Sequence, residues 1–445
     1  MTTPICDFVQ NYAAMKPVRL HMPGHKGNAI LGPEELDITE ISGADVLYRA
    51  QGIIRESEEN AARVFGSART FYSTEGSSLC IRAMLYLAEL DARRRKQPRA
   101  RVAAGRNAHR VFLEAVALLD TELCWIDSDD ELLNGSVRPD ALEQMFQEKT
   151  KKPTAVYVTS PDYLGNRADL SELAEICHRN DALFLVDNAH GAYLKFLKNA
   201  LHPIDLGADL CCDSAHKTLP VLTGGAYLHL SGNCPAELSR MAERAMALFA
   251  STSPSWLILQ SLDRANALLT KDYPDRIRKA ADRLDKLKGR LRAEGWILAG
   301  EEALKLTLCP KSRGYTGINL AELLADRGIV CEYADPDYLV MMITPETTEE
   351  ELLYTENMLK AIPRREAIHS CPPLPGRTKP VLSPRESLFS LFETVPVEES
   401  VGRILAAPSV SCPPAVPIVG CGERMNEETV NRFRYYGIQF VDVVV

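Results

Sequence analysis

Short apolar runs alternate with helical stretches between residues 100 and 230, and this alternation constrains the fold more than any other feature. The runs that predict strands are TAVYVTS (154–160), ALFLVDN (182–188), ADLCCDS (208–214) and GGAYLHL (224–230). A helix is predicted over 169–180, between the first two strands. Strands that alternate with helices form βαβ units, so the pattern predicts an α/β fold with a mainly parallel sheet. Functional groups in such sheets gather at the carboxyl ends of the strands.

The remaining chain divides by pattern into helical and mixed segments. Helices are predicted over 77–96 and over most of 235–295, with an interruption near Pro274. Downstream, strands are predicted at LKLTLCP (304–310), IVCEY (329–333) and YLVMMIT (338–344), with helices over 319–327 and 349–359. We therefore expect an irregular N-terminal arm (1–70), a large domain (71–295), a small α+β domain (296–362), a proline-rich linker (363–385) and a C-terminal extension (386–445), which ends in a strand.

Charge and composition argue against several classes of protein. Acidic residues outnumber basic residues by 60 to 51, which disfavours a nucleic-acid scaffold. No apolar run approaches the roughly 20 residues of a membrane span, and the N-terminus has no secretory pattern, so a cytoplasmic protein is expected. The 12 cysteines are scattered and favour reduced thiols over a zinc site. Pro23 and Gly24 between His21 and His25 prevent a helical metal site there, so no metal is expected.

The segment DSAHKTLPVLTGGAYLH (213–229) places a lysine directly after a predicted strand. A partly desolvated lysine can lose its proton and attack a carbonyl, as a Schiff base with pyridoxal phosphate requires. Ser214 and His216 could then hold the cofactor phosphate or neighbouring substrate groups. The alternative is that Lys217 is an ordinary solvated surface lysine.

The segment LFLVDNAHGAY (183–193) delivers Asp187 to the end of another predicted strand. A buried carboxylate needs a partner, and a protonated pyridine nitrogen is one, because the anion keeps that ring cationic and able to accept electrons. The alternative is a turn aspartate that bonds its own backbone. In that case His190 would simply pack beneath the turn.

Two helix starts add further candidates. Gly76, Ser77 and Ser78 open a predicted helix, where free N–H groups, hydroxyls and the helix dipole form an anion site. An ordinary serine N-cap is the alternative. His109 in GRNAHRVFLEA (105–115) begins another helix, and its flat ring could stack on an aromatic cofactor, unless it is a surface histidine near a cap.

Taken in chain order, these candidates supply a phosphate cradle, a stacking ring, an anion for a pyridine nitrogen and a lysine. The sequence resembles the fold type I (aspartate aminotransferase-like) pyridoxal-phosphate enzymes, and among them the ornithine/lysine/arginine decarboxylase family. The matching blocks are LHMPGHKG (20–27), SGADVL (42–47), STEGSS (73–78), NAHR (107–110), SPDYLGN (160–166), DNAHGA (187–192), SAHKTLP (214–220) and the tail VPVEESVGRILAAPSVSCPPAVPIVGCGE (395–423). The likeness therefore spans nearly the whole chain.

The resemblance implies a role for each candidate. Lys217 would form the Schiff base, Asp187 would pair with the pyridine nitrogen, and His109 would stack on the ring. His216 would lie beside the lysine and help to protonate the product carbon. Contacts with the cofactor are also implied for Gly76, Ser77, Ser78, His190 and Ser214, and Ser251 and Thr252 would reach the site of a partner subunit.

The implied activity is decarboxylation of lysine, ornithine or arginine to an amine and carbon dioxide, in at least a homodimer. Candidates for the acidic pocket that holds the cationic side chain are Glu398, Glu399 and Glu423. Another pyridoxal-phosphate reaction stays open, since Arg403 or Arg424 could bind a substrate carboxylate as in an aminotransferase. A non-catalytic, cofactor-binding paralogue is the third interpretation.

The sequence departs from the family pattern at a few positions. Glu75 stands where an Asn is common, Arg110 where Lys is usual, and Ala415 where Gly is frequent. The sequence shows no counterpart of the N-terminal wing found in the large family members, so we expect the short, wingless branch of the family.

Overall fold

A computed structural model describes residues 1–126, 137–147, 152–373, 378–408 and 418–445. The chain forms two compact units. The first comprises Met1–Ala100, Thr154–Tyr157 and Leu170–Ile277, and the second comprises Arg101–Pro153, Val158–Asp169 and Arg278–Val445. The division into five segments made from the sequence stays a prediction.

A seven-stranded sheet carries the predicted βαβ pattern. Its strands are β1 (Arg69–Ser73), β2 (Arg101–Ala104), β3 (Glu122–Trp125), β4 (Ala155–Thr159), β5 (Leu183–Asp187), β6 (Leu210–Asp213) and β7 (Ala226–Leu230). They lie in the order β1-β7-β6-β5-β4-β2-β3. β5 and β6 are parallel, as are β2 and β3, whereas β7 runs antiparallel to both β1 and β6. The predicted α/β fold with a mainly parallel sheet is confirmed.

The apolar runs correspond to strands because these strands are buried on both faces. Every residue of β5, β6 and β7 is buried. A strand covered on both sides shows a continuous apolar run instead of alternation. All four runs that predicted strands in this region are confirmed.

Helices occur along the whole described chain. They are α1 (Pro4–Ala14), α2 (Ile53–Phe65), α3 (Gly76–Arg94), α4 (Arg110–Leu119), α5 (Pro139–Gln147), α6 (Leu170–Arg179), α7 (Ala215–Thr218), α8 (Ala236–Phe249), α9 (Trp256–Leu269), α10 (Tyr273–Ala293), α11 (Gly317–Ala325), α12 (Glu349–Ala361), α13 (Pro384–Leu388) and α14 (Glu427–Tyr435). Pro274 stands in the first turn of α10, where its missing N–H is no loss. The predicted break just before it is confirmed.

The prediction of an irregular segment over 1–70 is wrong where α1 and α2 form. The turn signals lie between these helices and do not interrupt them. α1 buries Ile5 and Val9, and α2 buries Ile54 and Phe65, all at 0% exposure. Such apolar residues at helical spacing stabilise a helix by packing.

A smaller antiparallel sheet forms within the second unit. Its strands are β8 (Leu298–Ala299), β9 (Lys305–Leu308), β10 (Tyr333–Ala334) and β11 (Leu339–Met342), in the order β10-β11-β9-β8. The predicted strand over 329–333 is wrong except for Tyr333. Val330 is 90% exposed, so its segment has no packed face to hold it in a strand. The strands predicted on either side and the helices α11 and α12 are confirmed.

The C-terminal part contains a two-stranded antiparallel sheet, β12 (Phe392–Pro396) and β13 (Phe440–Val444). Val395, Phe433 and Val443 belong to the small apolar core that this sheet shares with α14. The predicted terminal strand is confirmed. Across the described ranges, no helix has the length and apolar character needed to cross a membrane.

Candidate active site

Three strands of the first unit end at one edge of the large sheet. β1 and β6 are both antiparallel to β7 and therefore run in the same direction, and β5 is parallel to β6. Their last residues are Ser73, Asp187 and Asp213. The predicted groups of this unit follow these strand ends directly, so the topology brings them to a common edge. This is where α/β sheets carry their functional groups.

The serines of the predicted phosphate cradle meet at this edge. Ser214 Oγ donates to Ser77 Oγ at 2.9 Å, which joins the segment after β6 to the start of α3. Gly76 begins α3 in the left-handed region (φ +69°) and donates its N–H to the Gly224 carbonyl at 2.7 Å. A Cβ at Gly76 would meet no heavy atom within 4 Å, so open space lies at the helix start. Hydroxyls, a 19-residue helix and this space fit a phosphate group. Ser78 is half-buried in the same turn.

The predicted lysine is half-buried on the short helix α7. Its Nζ lies 3.0 Å from Nε2 of His190, so the structure brings these two predicted residues together. Lys217 is therefore not the solvated surface lysine of the alternative interpretation. An amine next to an imidazole at a strand end suits attack on a cofactor carbonyl.

His216 is held by the turn before β7. Its Nδ1 lies 3.1 Å from the Gly225 carbonyl, which can only accept, so Nδ1 carries the hydrogen. Burial lowers the pKa of His216, and the charge of Lys217 lowers it further, although the bond to Gly225 opposes both. The ring is therefore mostly neutral near pH 7, and its Nε2 is left with a lone pair. To protonate a carbon, this histidine must first receive a proton.

Asp187 is 2% exposed and has several donors around it. Tyr157 Oη donates to Oδ2 at 2.9 Å, while the Ala189 N–H at 3.1 Å and the Cys212 thiol at 3.6 Å donate to Oδ1. The bond from Ala189 is the local turn bond of the alternative interpretation, so the turn and the buried anion occur together. Donors of this kind stabilise a charged carboxylate in a buried place, which suits a partner for a protonated pyridine.

A buried polar network that the sequence did not predict lies beside this group. The carboxylate of Asp213 is fully buried and accepts hydrogen bonds from Asn188 Nδ2 at 2.6 Å, His202 Nε2 at 3.0 Å and His229 Nε2 at 3.3 Å. Burial by itself would raise the pKa of Asp213, but the charge and hydrogen bonds of His202, joined by those of His229, hold it well below its usual range. His202, Cys211 and Asp213 also offer possible metal ligands within 4.8 Å of one another. The His202–Asp213 hydrogen bond and the position of Cys211 two residues before Asp213 on β6 account for that grouping.

His109 belongs to the second unit, where it is the N-cap of α4. Its Nδ1 accepts the Val111 N–H at 3.3 Å, and the residue is exposed. The predicted helix start is confirmed, and the ring is held against the first turn. Arg110, in place of the family's Lys, pairs with Glu114 at 3.4 Å on the exposed side of α4.

The other predicted acidic groups differ in environment. Glu398 and Glu399 are exposed, and Glu398 pairs with Arg434 at 2.8 Å. Glu423 is only 1% exposed and pairs with Arg106 at 2.9 Å. Of these three residues, Glu423 alone is buried.

The structure also shows the contacts of Glu75, which departs from the family pattern, and of the two arginines considered for an aminotransferase. Glu75 accepts the Ser251 N–H at 2.7 Å, so the unusual glutamate ties the turn with Ser251 and Thr252 to the start of α3 within one chain. Arg403 donates to Glu393 at 2.6 Å and Arg424 donates to the Gly402 carbonyl at 2.6 Å, so both guanidiniums have protein partners. Ala415 lies outside the described residues.

Fold and site together define an α/β enzyme with a lysine, a buried carboxylate and an anion cradle at one sheet edge, which is the arrangement of a fold type I pyridoxal-phosphate enzyme. The family model "Orn/Lys/Arg decarboxylase, major domain" matches residues 3–299, and that of the family's C-terminal domain matches residues 376–440. The chain belongs to the Orn/Lys/Arg decarboxylase family. It is thus an amino-acid decarboxylase that acts on a basic amino acid, with pyridoxal 5′-phosphate as cofactor.

Several individual proteins are similar to this chain over most of its length. An arginine decarboxylase of Halalkalibacterium halodurans is 27% identical over 97% of this chain and 93% of its own length. An uncharacterised protein of Bacillus subtilis, YaaO, is 29% identical over 97% of this chain and 94% of its own length. Among solved structures, lysine decarboxylase A of Pseudomonas aeruginosa superposes with a TM-score of 0.80 at 16% identity, covering 99% of this chain and 80% of the other.

Proposed function

We propose that the protein converts arginine to its amine and carbon dioxide, with pyridoxal phosphate attached to Lys217. The observation that carries the site assignment is the convergence of Lys217, Asp187 and the Ser77–Ser214 pair at one sheet edge. Arginine is preferred because the relative from Halalkalibacterium halodurans, which this chain matches over nearly its full length, is an arginine decarboxylase. Lysine and ornithine are the competing substrates.

The cofactor supplies an electron sink for the carbanion that remains when the carboxylate leaves as carbon dioxide. Asp187 would hold the ring nitrogen protonated, since its anionic form is stabilised by Tyr157, Ala189 and Cys212. The cradle formed by Gly76, Ser77, Ser78 and Ser214 would bind the phosphate through hydroxyls and N–H groups.

His109 would stack on the cofactor ring, and the histidines beside Lys217 would move protons. His190 is within hydrogen-bond reach of the lysine amine and can accept its proton. His216 would return a proton to the product carbon after taking one from solvent, because its neutral ring has a bare Nε2.

We also propose a cytoplasmic homodimer. Support comes from the N-terminal arm, where Val18, Leu20 and Leu31 are 85%, 90% and 90% exposed in the single chain. Several apolar side chains this exposed within one short segment (18–31) are typical of surfaces that pair with another subunit. Ser251 and Thr252 are the proposed contribution to the partner's site.

An aminotransferase is the less favoured reaction, because Arg403 and Arg424 are already engaged by protein groups. The test is to incubate purified protein and pyridoxal phosphate separately with arginine, lysine and ornithine, and to measure amine and carbon dioxide. Lys217→Ala is the control. We expect agmatine from arginine at the highest kcat/KM and none in the variant. Preference for lysine or ornithine would overturn the substrate proposal, and a keto acid in place of the amine would overturn the reaction.

A further inference from the structure

A buried ion pair joins the C-terminal part of the chain to the segment that carries His109. We call residues 378–408 and 418–445 the tail. Glu423 of the tail is 1% exposed, and its Oε1 lies 2.9 Å from Nη1 of Arg106, three positions before His109. The Arg106 guanidinium also lies over the Trp125 ring, 5.0 Å from its centroid. Both groups belong to the second compact unit.

The second oxygen of Glu423 is engaged within the tail itself. The Gly420 N–H donates to Oε2 at 3.1 Å, and the Thr378 hydroxyl donates to the same atom. A buried carboxylate with hydrogen bonds to both oxygens has a fixed orientation. The Glu423 side chain is therefore held in one orientation. As a result, the position of the Arg106 guanidinium depends on the position of the tail.

The tail also binds the opposite end of the helix that follows His109. Arg385 Nη1 donates to the carbonyls of Ala117 at 3.0 Å and Leu118 at 3.1 Å, in the last turn of α4. A cation at a helix C-terminus satisfies carbonyls that have no partner within the helix. The tail thus holds α4 and its leading loop at both ends.

The ring of His109 is bonded to the first turn of this helix. Its Nδ1 accepts the Val111 N–H in the first turn, so any shift of the helix start moves the ring. A ring already oriented in the free protein loses less conformational entropy on stacking. Fixing the loop and the helix therefore favours cofactor binding.

We propose that Glu423, acting through Arg106, is a positioning residue for His109, and that the tail orders this histidine for the cofactor. The inference rests on the proposed stacking role of His109. It gives Glu423 a function in holding the cofactor loop, in place of the acidic-pocket role for which the sequence made it a candidate.

The test is a double-mutant cycle on cofactor affinity, with Glu423→Gln, His109→Ala and the double variant. The dissociation constant of pyridoxal phosphate is measured by titrating each cofactor-free protein. We expect Glu423→Gln to weaken binding by at least about threefold, as for coupled neighbours, and to have no further effect once His109 is Ala. Losses that simply multiply in the double variant would overturn the inference.

Amide hydrogen exchange of the cofactor-free protein gives a second readout. Glu423→Gln is expected to accelerate exchange at Val111 and Phe112, the first turn of α4. The matched control is Glu356→Gln. Glu356 lies on α12, is 3% exposed and pairs with Arg290 of α10 at 2.7 Å. This control is expected to leave both the cofactor affinity and the α4 exchange unchanged. An equal effect of the control would mean general destabilisation and would overturn the inference.

If Glu423→Gln does not fold, Arg385→Ala replaces it in the test. Arg385 is exposed, so its substitution is expected to leave the fold intact. It is expected to weaken cofactor binding only while His109 is present, and a loss that persists in His109→Ala would count against the inference. If His109→Ala alone leaves the affinity unchanged, the stacking role fails and the inference fails with it. If His109→Ala weakens binding but the tail variants act independently, only the inference fails.

Discussion

Lys217 Nζ and His190 Nε2 lie 3.0 Å apart, at the ends of neighbouring strands of the large sheet. Near neutral pH an isolated lysine is protonated and cannot attack a carbonyl. An imidazole within hydrogen-bond distance can accept that proton. The pair therefore gives Lys217 a route to the neutral, nucleophilic amine.

We predict that His190→Gln slows attachment of pyridoxal phosphate to Lys217 by at least about tenfold at pH 7, because glutamine retains polarity but accepts no proton. The deficit should shrink as pH rises, since more Lys217 is then neutral without help. Stopped-flow absorbance after mixing cofactor with the cofactor-free protein measures the rate, and Lys217→Ala gives the blank. A rate equal to that of the unmodified protein at pH 7 would rule out this role.

The hydroxyl of Ser214 joins the segment after β6 to the cradle at the start of α3. Ser214→Ala should weaken cofactor binding by about tenfold, because one hydrogen bond to a phosphate is lost. Equilibrium titration measures this change. Ser231→Ala is the control, since Ser231 follows β7 at the opposite edge of the sheet and its hydroxyl accepts the Asn233 N–H at 3.2 Å. Equal losses in both variants would contradict the cradle assignment.

Tyr157 and Tyr227 are both completely buried but differ in the hydrogen bonding of their hydroxyl groups. Tyr157 donates to Asp187, whereas the Tyr227 hydroxyl has no hydrogen-bond partner among the described residues. Tyr157→Phe should lower the free energy of unfolding by about 1.5–3 kcal/mol, the range for a hydrogen bond to a charged group. Tyr227→Phe should leave it unchanged or raise it slightly. Urea unfolding of the cofactor-free proteins measures both, and a loss in Tyr227→Phe as large as in Tyr157→Phe would count against the donor role.

The sequence was sufficient to predict the residues that follow directly on strand ends. Asp187 lies at the end of one predicted strand (182–188) and Lys217 lies three residues beyond another (208–214), so the rule for parallel sheets places both at one edge. The start of α3 could be predicted in the same way, because Gly and Ser precede a helical pattern. The local residue types and the period of the apolar residues are enough to predict the positions of such groups.

The supporting residues could not be predicted, because they are joined to the site only by tertiary packing. Tyr157 reaches Asp187 from a position 30 residues away, and Arg106 meets Glu423 across 317 residues. No short motif records such a pairing. The helices α1 and α2 were missed for another reason, since the turn residues between them dominate the local composition.

Glu58 on α2 gives a stability prediction that depends on pH. Burial raises the pKa of this carboxyl to about 8, although the Tyr72 N–H at 3.0 Å opposes the shift. In the unfolded chain the pKa returns to about 4.3. Between these values the folded state binds one proton more than the unfolded state, so stability is full below about pH 4.3 and falls as pH rises towards 8. The slope is at most roughly 1.4 kcal/mol per pH unit.

Glu58→Gln should remove this dependence, because the amide resembles the protonated acid and still accepts from Tyr72. The free energy of unfolding of the variant is expected to equal that of the unmodified protein near pH 4 and to exceed it near pH 8. Denaturant titrations across this range measure the difference. Parallel profiles for the two proteins would show that Glu58 is ionised in the fold.

The central claim is that the carboxylate leaves and a proton replaces it on the same carbon. The most direct measurement is turnover of arginine in deuterium oxide, with carbon dioxide quantified and the product analysed by mass spectrometry. The account predicts one carbon dioxide for each amine formed, with a single carbon-bound deuterium, and neither product from Lys217→Ala. Release of a keto acid without carbon dioxide, or deuterium exchange into arginine that keeps its carboxylate, would contradict it.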